Sequence, residues 1–209
     1  MAKSRQVQFG CGLSYPDGWL NYDSSPRLRL ERLPIVGRFV PAGPYGRFPR
    51  GVLYGDIVKG LPLPDESAEL LYCSHVFEHL CVEHFRKALR NSHRLLVRHG
   101  VFRIVLPDLN RLIQDYTQSA APDRAFTFIR NSLMGQEASN RGFLQWLTNS
   151  VGNHRHLWLW DYDSLALELR NVGFSDVRPA VYGDSGIDGF ASVEASDRWH
   201  NGLGIQCRR

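Results

Sequence analysis

The stretch LLYCSHVFEHL, Leu70 to Leu80, gathers His75, Glu78 and His79 within one short span. Read literally, HVFEH fits the H-x-x-E-H pattern of inverted zinc proteases, in which two imidazoles one helical turn apart hold the ion beside a carboxyl group. That reading needs both histidines on one continuous helix. The residues before them, AELLYCS, have the pattern of a short buried strand. His75 is therefore expected at a strand end, with Glu78 and His79 in the first turn of the following helix, where Glu78 suits the helix dipole. This context favours structural or ligand-lip roles, and no metal is expected. His79 and His84 read as helix-surface or packing residues.

Glycine turns and single carboxyl groups at strand ends are the other residues able to do chemistry. FGCG closes the first strand-like run with Gly10 and Gly12, which let backbone N–H groups approach a ligand closely. GWLNYD ends in Asp23, suited to accept two ribose hydroxyls; GVLYGDI carries Asp56 and Ile57, suited to an adenine amino group and ring face. AELLYCS ends at Ser74 and His75.

These residues need a scaffold, and the chain supplies one. RQVQFG, GWLNYD, GVLYGDI, AELLYCS, HGVFRIVLPD, DVRPAVY and LGIQC read as strands. VFEHLCVEHFRKALRNSHRLL, LNRLIQDYTQ and DYDSLALELRNVGF have helical apolar spacing, the last with Asp161 or Asp163 at its start and Gly173 as its stop. Ser24 to Gly51, with five prolines and four glycines, reads as an irregular excursion. The alternation predicts an α/β fold: an open, mostly parallel sheet closed by a helix and a hairpin.

Length and composition bound the rest. At 209 residues and 43% apolar, one domain is expected. Cys11, Cys73, Cys81 and Cys207 form no C-x-x-C pair, which suggests neither a zinc ribbon nor a disulfide framework. A net charge of +4, with basic residues concentrated between Arg27 and Arg50, is weaker than a nucleic-acid footprint and reads as a solvated loop. No apolar run approaches a membrane span. MAKSRQVQFG lacks an apolar signal core, so a cytoplasmic chain is expected.

FGCGLSYPDGWLNYD, GDIVKGLPLPDESAELLYCSHVFEHL and RKALRNSHRLLVRHGVFRIVLPDL together resemble the class I S-adenosylmethionine-dependent methyltransferase family, in particular its small bacterial type 11-like branch. The resemblance runs from about Val7 to Leu109. It implies a Rossmann-like sheet of about seven strands with an antiparallel C-terminal strand, and S-adenosyl-L-methionine as cofactor. Gly10, Cys11 and Gly12 would pass under the methionine portion, Asp23 would take the ribose, and Asp56 with Ile57 the adenine. Ser74 and His75 fall where the fourth strand meets cofactor and acceptor. Two departures stand out: Asp23 lies only thirteen positions after Gly10, too close for a helix between the first two strands, and the family's K-P-G-G turn is here VRHGV, Val97 to Val101.

For a hydroxyl acceptor, His75 is the first candidate base and Asp108 the second, although Asp108 also reads as a helix N-cap. A segment around residues 110–160 is expected to cover the acceptor. Within it NHRHLWLWDYD places His154, Arg155, His156, Trp158 and Trp160 together, which suits a sugar or polar ring and equally a hydrophobic lid. Relatives of this branch point to small-molecule or glycan acceptors in polysaccharide biosynthesis. The alternatives are a non-catalytic cofactor-binding or scaffold module and a zinc hydrolase built on HVFEH.

Overall fold

The runs expected as strands form β1 (Gln6–Phe9), β2 (Trp19–Asp23), β3 (Leu53–Tyr54), β4 (Ala68–Ser74), β5 (Leu96–Pro107), β6 (Ser175–Ala180) and β7 (Gly202–Arg208). The structure is a computed structural model and describes residues 5–42, 46–135 and 155–209. One sheet holds all seven strands in the order β3-β2-β1-β4-β5-β7-β6. β1 to β5 run parallel, and β7 lies antiparallel to β5 and β6. The parallel strands therefore share one carboxyl edge, and strand order reverses between β1 and β4, where ligand crevices open in such sheets.

The described helices are α1 (Pro26–Glu31), α2 (Val82–Leu95), α3 (Leu109–Gln118), α4 (Arg124–Asn131), α5 (Tyr162–Val172), α6 (Asp188–Ala191) and α7 (Ser196–Trp199). α5 follows its sequence signals: Asp161 Oδ1 accepts from Ser164 N at 2.8 Å, and Gly173 ends the helix at φ 108°. α2 and α5 bury Phe85, Leu89, Leu165 and Leu169 against Val7, Phe9, Leu71, Phe102 and Ile104 on one sheet face. Each such side chain contributes roughly 1.5–3 kcal/mol on leaving water.

The opposite face carries Trp19, Leu70, Tyr72, Val101 and Val105, and the short β1–β2 connection provides no helix to cover it. Cover comes instead from the far end of the chain, where α6, α7 and their flanks place Phe190, Val193 and Trp199 on this face. Trp19 Nε1 donates to Ser192 Oγ at 2.9 Å, and its ring lies 5.9 Å from that of Phe190. Gly189 permits the close approach, since a Cβ there would stand 2.5 Å from Leu70 Cδ1. Arg103, fully buried in β5, anchors the segment: it donates to Glu194 Oε1 at 2.6 Å, Asp184 Oδ1 at 2.9 Å and the Val181 carbonyl at 3.0 Å. Gln206 Oε1, on β7, accepts at 2.7 Å.

Three expectations are corrected. Ser24 to Gly51 is not wholly irregular, because Ser25 and Pro26 start the short helix α1, Ser25 Oγ accepting from Arg27 N at 3.2 Å. Its arginines are fasteners: Arg27 donates to the Gly46 carbonyl at 2.8 Å, Arg32 to Val52 at 3.3 Å and Arg47 to Gly37 at 2.9 Å, so loop carbonyls find donors within the chain. Glu78 and His79 lie in a separate 3-10 turn, Phe77–His79, and α2 begins only at Val82. VRHGV makes no separate turn before the fifth strand, because β5 already starts at Leu96 and absorbs it with a register shift against β4 between Ala68 and Leu70.

Candidate active site

The carboxyl edge is built upward from the glycine turn. Gly10 and Gly12 adopt φ 64° and 55°, values that an L side chain resists. A side chain at Gly10 would strike Val76, whereas a Cβ at Gly12 would meet nothing within 4 Å, so Gly12 faces open space. Cys11 between them is buried, and burial, reinforced by Asp23, pushes its thiol up to about 12. It offers backbone and packing, not a thiolate. Asp23, buried at the end of β2, ties the turn to its neighbour: Oδ2 accepts from Gly12 N at 2.9 Å and Oδ1 from Ser25 N at 2.8 Å. Each oxygen keeps a further lone pair for a hydroxyl.

Beyond β3, Asp56 Oδ1 accepts from Val58 N at 3.0 Å, and Lys59 Nζ stands 3.5 Å from Oδ2. Ile57 is buried, and Asn91 of α2 donates to its carbonyl at 2.8 Å. A cleft at the glycine turn is lined by Gln8, Gly10, Cys11 and Ser74 on the strand side and by Val193 and Arg198 from the covering segment. Gln8 Oε1 is buried there without a hydrogen-bond partner among the described residues, and Ser74 Oγ, also buried, has only the Tyr72 hydroxyl beside it. Unmet polar atoms of this kind cost about 1–3 kcal/mol each, which a polar ligand portion offsets on entering. The site thus fits a ligand that is hydroxylated near Asp23 and polar near the glycine turn.

His75 follows β4 at φ 55°, a strained position for a non-glycine residue. Its Nδ1 lies 3.1 Å from Glu78 Oε1 and its Nε2 3.0 Å from the Arg198 carbonyl. A carbonyl only accepts, so Nε2 donates, and Nδ1 shares a proton with Glu78 Oε1. Burial works against a charged ring, but the Glu78 and Arg198 hydrogen bonds outweigh it and raise the imidazole above its ordinary value. Asp108, at the end of β5, caps α3 through Oδ1, which accepts from Asn110 N at 2.9 Å.

The expected acceptor cluster separates. Trp160 is buried core, its ring 4.3 Å from Phe85, while Trp158 is largely exposed. His156 is buried, and burial lowers its imidazole while Glu78 works in the opposite direction. His154 lies outside the described residues. His79 belongs to the Phe77–His79 turn, where its Nδ1 donates to the Arg155 carbonyl at 3.0 Å. Sequence reasoning missed Arg198 and His156 as neighbours of the HVFEH turn. The buried atoms that point to them, Glu78 Oε2 and His156 Nδ1, carry no local signal.

Residues 44–104 match the model of a methyltransferase domain family, a span that starts after β2 and so leaves out the shortened Gly10–Asp23 portion. No curated protein matches the chain. Among solved structures, a SAM-dependent methyltransferase from Archaeoglobus fulgidus is similar over 100% of this chain and 87% of its own, at 16% identity and TM-score 0.50. The Haloferax volcanii methyltransferase solved in complex with its Trm112 activator aligns over 99% and 84%, at 13% identity and TM-score 0.51. YcgJ from Bacillus subtilis aligns over 100% and 92%, at 15% identity and TM-score 0.50. Among the described residues no helix is long and apolar enough to cross a membrane. A parallel sheet that ends in an antiparallel β7, with residues 44–104 similar to that domain family, gives this chain the fold of the class I S-adenosylmethionine-dependent methyltransferases.

Proposed function

We propose that the chain binds S-adenosylmethionine along the carboxyl edge of β1 to β4 and directs its methyl group onto a hydroxyl of a small molecule or glycan. The observation that carries this reading is the pair of left-handed glycines, Gly10 and Gly12, the second donating its N–H to a buried Asp23 at the end of the adjacent parallel strand. Gly10, Cys11 and Gly12 pass under the methionine portion, Asp23 holds the ribose hydroxyls, and Asp56 with Ile57 meets the adenine. Ser74 and His75 border the reacting end. The bound cofactor supplies an activated methyl group. The chain supplies approach geometry and, for a hydroxyl, a place for its proton.

His75 acts as a base in this scheme only once Nε2 has released its proton to solvent and the arriving acceptor has displaced the Arg198 carbonyl; until then Nε2 is a donor. Asp108, capped onto α3 through Oδ1, keeps Oδ2 as a secondary acceptor of the proton. The single domain carries α3, α4 and the residues after them, around 110–160, as the acceptor cover. Their exposed Ile113, Phe126 and Ile129 offer an apolar surface for a ring face. A polysaccharide precursor in the cytoplasm suits this mixture, and the four free cysteines remain reduced there. A second reading, a cofactor-binding module without turnover, is favoured by one observation: both ring nitrogens of His75 are already engaged.

Transfer of a labelled methyl group from S-adenosylmethionine to a panel of hydroxylated small molecules, sugar nucleotides and oligosaccharides tests the proposal. Label entering one acceptor class supports it. Firm binding of S-adenosylhomocysteine with no transfer to any of them favours the module.

A further inference from the structure

We propose that Glu78, His79 and His156 form a three-ligand site for a divalent transition-metal ion, zinc or a chemical equivalent such as cobalt(II). One ligand atom from each residue lies within 4.8 Å of the others. Glu78 is 0% exposed and His156 7%. Glu78 Oε1 is taken by His75, but Glu78 Oε2 and His156 Nδ1 are buried with no hydrogen-bond partner among the described residues. Two buried groups that can accept and find no donor cost about 1–3 kcal/mol each. A single cation between them satisfies both, and an imidazole and carboxyl donor set suits zinc and its neighbours.

The surrounding backbone holds the three residues in place. Leu157 N donates to the Glu78 carbonyl at 2.6 Å and Trp158 N at 3.2 Å, fastening the chain around His156 onto the Phe77–His79 turn. His79 donates Nδ1–H to the Arg155 carbonyl, a tautomer that leaves the lone pair on Nε2. The His79 and His156 rings stand 5.1 Å apart, centroid to centroid. Ligand bonds of about 2.1 Å set ligand-to-ligand distances of about 3.4 Å in a tetrahedral site, so closure around an ion needs only side-chain adjustment.

The donor set is not the one that HVFEH suggests by itself. His75 supports Glu78 from outside, and the third ligand comes from the far end of the acceptor-covering segment. Three protein ligands leave a coordination position open, as in catalytic rather than structural zinc sites. Where the transferase reading holds, an acceptor oxygen takes that position, one hydrogen bond removed from His75; that role rests on the proposed function, whereas metal binding does not.

The test uses untagged, chelator-stripped protein without cofactor, titrated with Co2+ by visible absorption and with Zn2+ by calorimetry. One equivalent should bind with a cobalt ligand-field band, and His156→Ala or Glu78→Gln should weaken binding at least about tenfold. His79→Ala, at a half-exposed position, gives the same readout should a buried substitution unfold the chain. His84→Ala, exposed on α2, should leave affinity unchanged. No uptake by folded wild-type protein, or equal affinity in the His156, His79 and His84 variants, overturns the site. S-adenosylhomocysteine titration of the metal-free protein, run in parallel, separates failure of this site from failure of the cofactor reading.

Discussion

His75 and His156 lie near the same buried Glu78 yet shift in opposite directions, because the first is hydrogen-bonded to acceptors on both nitrogens while the second is dominated by burial. Imidazole NMR of the metal-free protein should show His75 titrating above the ordinary 6.5 and His156 below it. The sign for stability follows: a raised folded-state value means the His75 contribution is fully present below about 6.5 and fades as pH rises through the raised value. His75→Gln should therefore cost most in melting temperature near pH 6 and progressively less at higher pH; a cost independent of pH would contradict the pairing. Asp23→Ala should weaken S-adenosylhomocysteine affinity at least tenfold, about 1.4 kcal/mol, and an unchanged affinity in the folded variant would refute the ribose assignment. Gly10, Gly12 and Asp23 were legible because a strand end needs only local chemistry to be recognised. The meeting of His156 with Glu78 was not, since it joins distant segments whose sequences carry no sign of each other.

At the level of elements, Arg103 shows how the fold compensates for its short β1–β2 link. Its guanidinium holds Glu194 and Asp184 of the covering segment against the sheet, and the rings of Trp199 and Phe190 lie beside it at 4.8 and 5.5 Å. Arg103→Ala leaves Glu194 buried without its cation, and breaking such a pair costs about 3–5 kcal/mol. Chemical denaturation should show a loss of that size, together with weaker S-adenosylhomocysteine binding as Arg198 loses its place over the cleft; a loss under about 1 kcal/mol would mean that the segment is held by packing alone. The lone arginine within the apolar run VFRIVLP read as a strand residue, and its acidic partners, Asp184 and Glu194, lie in connections with no helical or strand period of their own. Strand and helix periods of β4, β5, α2 and α5 were clear from the sequence. The Phe77–His79 turn was not, because Val76 and Leu80 continue the helical spacing of Phe85 and Leu89 even though the α-helix starts only at Val82.

For the whole molecule, strand order and the carboxyl edge set where the proposed cofactor site lies. The alternation of apolar runs implied a mostly parallel sheet, and the antiparallel β7 between β5 and β6 completes it. What alternation could not supply was the cover on the second sheet face, provided by residues more than a hundred and sixty positions from the strand they protect. The central claim is that this edge is a cofactor site, and calorimetric titration of the wild-type protein with S-adenosylhomocysteine tests it most directly. Saturable one-to-one binding of micromolar strength, about 8 kcal/mol, is the predicted result. Absence of binding by folded protein at millimolar ligand would contradict it.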